Sequence, residues 1–159
     1  MGPIDRGLER LSEAGGYAAG AVAVLLTVLV AASVIARRVL NAPLLITEEV
    51  SGYMVAAVVF LGLAYTMKEE GHIRADILLR HVPPRARAVL EIVATVIALG
   101  FAGLLLAGSW RLVAEFYTQG SLSFRYLQTP LWIPGSVLIV GAALLALQLA
   151  AQLLKRLTS

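Results

Sequence analysis

The chain contains no cysteine and only two histidines among its 159 residues. Without cysteine, thiolate metal sites, disulfides and a cysteine nucleophile are excluded. Charge is scarce as well: 14% of residues are Asp, Glu, Lys or Arg, against 59% hydrophobic, and the mean hydropathy is +0.84. Runs without a single charge extend over Ala14–Ala36, Val50–Met67, Ile92–Trp110 and Tyr126–Leu154, that is 23, 18, 19 and 29 residues. A helix rises about 1.5 Å per residue, so roughly 20 residues cross a hydrocarbon core of about 30 Å. Each run is long enough to span, the second barely. The predicted fold class is therefore all-α, an integral membrane bundle of four transmembrane helices in a single domain, 1–159. The spans are placed at about 14–36, 49–67, 88–110 and 130–154.

What lies outside the four runs is too short to bury a soluble core, which excludes a soluble catalytic domain. The net charge of +3 does not indicate nucleic acid. Its basic residues are scattered among span ends and loops, with no aromatic-interleaved basic face. The first run is read as a retained span rather than a signal peptide, whose apolar core is typically about 7–15 residues. Before it, Ile4, Leu8 and Leu11 fall at helical spacing, with Arg6, Glu9, Arg10 and Glu13 mostly on other faces. That pattern predicts a short amphipathic helix over 1–13 lying at the membrane interface.

Four spans put the N-terminus, the middle loop and the C-terminus on one side. Nine of the 13 Lys and Arg residues fall there and four on the other, Arg37, Arg38, Arg111 and Arg125. Loops rich in Lys and Arg stay cytoplasmic, so both termini are expected in the cytoplasm.

Small residues recur four apart at Gly16/Gly20, Ala19/Ala23, Ala98/Ala102, Gly103/Ala107 and Ala142/Ala146/Ala150. Such spacing lets helix backbones approach closely in lipid. Thr47 is the expected N-cap of the second span, with Glu48 and Glu49 where the helix dipole favours negative charge. A further interfacial helix is expected over 71–80, before the break at His81–Pro84. The third helix is expected to run past Trp110, with Arg111 and Glu115 at pairing distance and Gly120 as its stop. Trp132 suits a headgroup anchor, and Pro134 belongs in the first turn of the fourth helix or kinks it.

Chemistry is conspicuous by its absence. No ionisable residue lies inside the charge-free runs, where an enzyme or autonomous ion-coupled carrier places its costly functional groups. Hydroxyls at Thr27, Ser33, Ser51, Thr66, Thr95 and Ser109 form no nucleophile–base constellation and are expected to bond to their own helices. His72 and His81, with Asp76 between them, match no common metal site. No catalytic residue, cofactor or metal ligand is therefore assigned. Glu48 and Glu49 serve either the helix dipole or an arginine on a neighbouring helix or subunit, and the sequence leaves both open.

Residues 37–95 resemble the small membrane subunit of tripartite ATP-independent periplasmic (TRAP) transporters, the DctQ-like family. The resemblance rests on Arg37-Arg38-Val39-Leu40-Asn41, Thr47-Glu48-Glu49-Val50 and Phe60-Leu61-Gly62. It continues through Gly71-His72-Ile73-Arg74-Ala75-Asp76 and Pro83-Pro84-Arg85-Ala86-Arg87. The four-span layout and the Trp132–Pro134 entry to the last span extend it over nearly the whole chain. Ile46 stands where the family is expected to have tryptophan, and Ala75 where valine is usual before Asp76.

The resemblance implies an accessory membrane scaffold rather than an enzyme. A large membrane subunit carries the solute and the coupling cation, and a periplasmic binding protein captures the solute. The small subunit packs against the former and helps dock the latter. It implies import of a small organic solute such as a carboxylate, across the bacterial inner membrane. Arg37, Arg38, Glu48, Glu49, Gly62, His72, Asp76 and Trp132 are the expected structural or subunit-interface residues. The competing reading is an autonomous homo-oligomeric four-helix carrier using Glu49.

Overall fold

A computed structural model describes residues 3–41, 45–70 and 83–158. Four helices fill it: α1 (Pro3–Val39), α2 (Thr47–Glu70), α3 (Pro84–Thr118) and α4 (Trp132–Thr158). All four are long and apolar enough to cross a membrane. The expected interfacial segment at 71–80, and with it His72, Ala75, Asp76 and His81, lies outside the described residues.

Helix lengths exceed what a bilayer core needs. At 37 and 35 residues, α1 and α3 reach roughly 55 and 52 Å. The amphipathic segment expected over 1–13 is not a separate element, because α1 runs unbroken from Pro3 into the first span. No breaker interrupts it. Gly15 and Gly16 stay helical because both are packed against α2: a Cβ on Gly15 would lie 3.0 Å from the Leu61 carbonyl oxygen, and one on Gly16 would lie 2.6 Å from Tyr65 Cγ. Ser12, 2% exposed, is turned to α4, where its hydroxyl donates to Gln148 Oε1 at 3.4 Å.

The ends of α3 follow local rules. Pro84 opens it at a position where the missing N–H costs nothing. At the other end Gly120 adopts φ +60°, Ser121 N–H donates to Phe116 O at 3.0 Å and Gly120 N–H to Tyr117 O at 3.3 Å. This is a Schellman stop of the kind the sequence predicted. Beyond Trp110 the helix continues to Thr118, but Glu115 takes Gln119 Nε2 (3.1 Å) as its i+4 partner rather than pairing with Arg111. In α4, Pro134 sits in the first turn. Four of the six span hydroxyls behave as expected: Thr27, Ser51, Thr66 and Thr95 each donate to a carbonyl three or four residues back.

The helices stand in a row, in the order α1–α2–α4–α3. Substantial contacts join α1 to α2, α2 to α4 and α4 to α3, with a minor one from α1 to α4. The compact core lies between α3 and α4, where Ala102, Leu145 and Leu149 meet Ala98 and Ala146, with Leu63 and Met67 closing in from α2. Only some of the small-residue pairs are used. Gly16 and Ala19 face α2, whereas Gly20 and Gly103 have nothing near the place a Cβ would occupy. The closest approach joins α2 to α4: a Cβ on Gly141 would collide with the Phe60 backbone carbonyl and come within 2.7 Å of Phe60 Cβ. Two amides reinforce the α4 seam. Besides Gln148, Gln152 Nε2 donates to Met67 O at 3.4 Å.

Gly141→Ala should therefore push α2 and α4 apart and destabilise the chain by about 1–3 kcal/mol, the usual range for overpacking. Gly20→Ala should change stability by less than about 0.5 kcal/mol. Thermal unfolding of the two variants in detergent tests this; equal melting temperatures would refute the crossing point.

Candidate functional site

The C-terminal ends of α1 and α3 and the N-terminal ends of α2 and α4 meet at one end of the row. The connection 119–131 between α3 and α4 is ordered there as a small hairpin. Leu122 and Pro130 form an antiparallel bridge, flanked by Ser123 N–H to Thr129 O (2.9 Å) and Leu131 N–H to Ser121 O (3.1 Å). At its tip Gln128 N–H donates to Arg125 O at 3.4 Å and Gln128 takes φ +47°. Ser123 Oγ accepts the Arg125 N–H at 3.2 Å, closing a local turn.

The hairpin separates two jobs between its side chains. Ser123 is buried and Arg125 reaches α2, whereas Leu122, Phe124 and Tyr126 are exposed, Phe124 completely. The hairpin thus turns a polar edge to the bundle and an apolar stripe away from it.

The polar edge is held by the two glutamates in the first turn of α2. Glu49 is only 4% exposed. Its Oε1 accepts Tyr53 Oη at 2.9 Å and its Oε2 accepts the Leu127 backbone N–H at 3.2 Å, with the Ser123 and Thr129 hydroxyls beside it. Glu48 is exposed and pairs with Arg125. Consecutive carboxylates on one helical turn therefore hold the hairpin at two points, one buried through backbone and hydroxyl donors, the other solvated. The sequence left open whether these residues serve the dipole or an arginine; Glu48 takes an arginine of the same chain, and Glu49 takes none.

Thr47 does not act as the expected N-cap. Its Oγ1 is buried without a hydrogen-bond partner among the described residues, and the first turn is closed instead by Val50 N–H to Ile46 O at 3.0 Å. Thr47 is already inside the helix, so the capping position falls to Ile46, which has no side-chain acceptor. An orphaned hydroxyl costs roughly 1–3 kcal/mol.

The other expected residues are dispersed. Arg37 and Arg38 lie in the last turn of α1 and border the cleft between α1 and α2. Gly62 is in mid-α2 facing α1, where an added Cβ would make an ordinary contact, 3.8 Å from Ala19 Cβ. Trp132 opens α4 and meets Tyr117 edge-on, ring centroids 5.9 Å apart. Sequence reasoning overlooked Gln148, Gln152, Ser123 and the Leu127 N–H. The two glutamines were visible as amides one turn apart in an otherwise apolar run; a backbone donor has no sequence signal.

Comparison with known proteins is consistent in direction. The family model for the DctQ component of tripartite ATP-independent periplasmic transporters matches residues 26–159. A C4-dicarboxylate TRAP transporter small permease protein from Vibrio cholerae is 32% identical over 153 residues, covering 81% of this chain and 66% of that protein. A protein of the same description from Pseudomonas aeruginosa is 29% identical over 102 residues, covering 63% of this chain and 49% of that one. The chain thus spans about half to two thirds of the length of these relatives.

If Glu49 anchors the hairpin, Glu49→Ala should raise amide hydrogen exchange across 121–131 by on the order of tenfold. Glu48→Gln, which removes only an exposed pair, should raise it less than about threefold. Exchange measured on the purified chain checks both; equal effects would show that burial of Glu49 does not set the anchor.

Proposed function

Because the chain belongs to the DctQ component family of tripartite ATP-independent periplasmic transporters, we propose that it is the small membrane subunit of a cation-coupled secondary transporter that imports a small organic solute. The substrate class proposed is a carboxylate, in line with the C4-dicarboxylate in the names of the two relatives. The chain packs against a large translocating subunit as a scaffold and helps dock a periplasmic solute-binding protein. It acts in the bacterial inner membrane with both termini in the cytoplasm, an orientation supported by the excess of Lys and Arg on that side.

One observation carries the scaffold reading over a carrier. Glu49, the carboxylate that the carrier reading would recruit, is buried and is occupied within the chain by Tyr53 and the Leu127 N–H. A coupling carboxylate must exchange ions with a pathway; this one fastens a loop. Helices standing in a row also leave two broad apolar faces, one suited to a large membrane partner and one to the bilayer. In this orientation the hairpin and Arg37 and Arg38 face the periplasm, where a binding protein arrives. No nucleic acid takes part.

Affinity capture of the tagged chain from native membranes in mild detergent, followed by mass spectrometry, tests the proposal. A stoichiometric large polytopic membrane protein is expected. Glu49→Gln should lower uptake only as far as it lowers recovery of that complex. Recovery of the chain alone as a defined oligomer, with Glu49→Gln abolishing transport by an intact assembly, would establish the carrier instead.

A further inference from the structure

Two adjoining clefts open where the last turns of α1 meet the first turn of α2, and Ser33, Arg37, Thr47 and Glu48 border both. The one that also includes Arg38 has a volume of about 670 Å³. Its carboxylate is already engaged: Glu48 pairs with Arg125. Glu49 beneath it is held by Tyr53 and the hairpin. Its cations are not. Among the described residues neither Arg37 nor Arg38 has a carboxylate partner. Counting the clasp, three arginines stand against two glutamates, and the surplus positive charge lies on the α1 side.

Thr47 supplies the second, independent observation. It is 8% exposed, its hydroxyl has no partner among the described residues, and it borders both clefts. It also occupies the first position of α2, where free backbone N–H groups and the helix dipole favour an anion. Each guanidinium fork donates two parallel hydrogen bonds to an oxyanion, and a phosphate, unlike a lone carboxylate, has oxygens enough for two forks and a hydroxyl at once. Toward the span, the same cleft is walled by Val30 and Val34, both exposed along α1. A ligand matching this surface has an oxyanion head and a hydrocarbon tail. The position agrees: the arginines close a charge-free run, at the depth where headgroups begin.

We propose that this cleft binds the phosphate of a membrane phospholipid, with Arg37 and Arg38 as its cationic ligands, the Thr47 hydroxyl as a hydrogen-bond donor, and an acyl chain lying along Val30 and Val34. The bound lipid satisfies the Thr47 hydroxyl and fixes the α1–α2 end beside the clasp. The inference does not depend on the subunit reading, because it concerns surfaces of this chain alone.

Native mass spectrometry of the full chain, released from detergent with added phosphatidylglycerol, tests it. Retained lipid adducts are expected. The double variant Arg37→Gln/Arg38→Gln should lower their affinity by about tenfold or more, since each surface arginine is worth several-fold in attraction to an anionic headgroup. Arg111→Gln, the same charge change on α3, should leave it unaltered. Thr47→Val preserves shape and removes only the hydroxyl; it should weaken retention by roughly fivefold. It also keeps the test decisive if the double variant does not fold. Inorganic phosphate in millimolar excess should not displace the lipid. Adducts unchanged in the arginine and Thr47 variants would overturn the proposal, as would displacement by inorganic phosphate, which would assign a free-anion site. So would loss of a co-purifying protein with lipid retained, which would give the arginines to a protein contact.

Discussion

The approach of α2 to α4 holds this molecule together. The chain consists of two helical hairpins, α1–α2 and α3–α4, and little besides the α2–α4 seam joins them. In hydrocarbon no hydrophobic drive pushes helices together, so the seam depends on contact at short range and on polar groups that prefer each other to lipid. Gly141 provides the first by letting the α4 backbone ride on the Phe60 carbonyl. Gln148 and Gln152 provide the second, reaching Ser12 on α1 and the Met67 carbonyl on α2. A single added methyl at the crossing would displace the whole seam, because two backbones cannot yield as side-chain ends do.

The glutamate clasp does at the end of the row what the seam does along it. Its members come from α2 and from the α3–α4 hairpin, so it ties the same two halves a second time. Placing the buried carboxylate in the first turn of a span exploits the positive end of the helix and avoids the cost of charge at mid-membrane. Its partners are a phenol, a backbone amide and nearby hydroxyls, so among the described residues it is held by neutral donors and not by a buried countercharge. With the polar groups of the hairpin held inward, Leu122, Phe124 and Tyr126 are left on the outside. The clasp thereby presents these three side chains as an apolar edge at one end of the row.

Much of this was legible in residue order. Charge-free runs marked the spans because charge inside a bilayer is expensive over a known thickness. Gly120 marked the end of α3 because a left-handed residue there closes a Schellman stop at little cost. Thr27, Ser51, Thr66 and Thr95 bonded backward to their own helices because that acceptor is always at hand. Less legible were features that depend on what stands opposite. Thr47 resembled a cap, yet the helix began one residue earlier than a cap requires. The segment 1–13 resembled an interfacial helix, yet it continued into α1 because α2 receives Gly15 and Gly16 and α4 receives Ser12.

The sequence by itself determined that four helices among the described residues are long and apolar enough to span, where α3 stops, and which family the chain resembles. Those outcomes depend on local composition and on the backbone's need for internal hydrogen bonds in lipid. Tertiary structure alone decided the order of the row, which of several equivalent small residues became a crossing point, and that Glu49 would anchor a loop. Gly16, Gly20 and Gly103 are indistinguishable in sequence, but only Gly16 has a neighbour close enough to need the missing Cβ. Likewise, the partner that occupies Glu49 from across the chain is the amide of Leu127, a group every residue but proline carries. Only folding brings that one amide to the carboxylate.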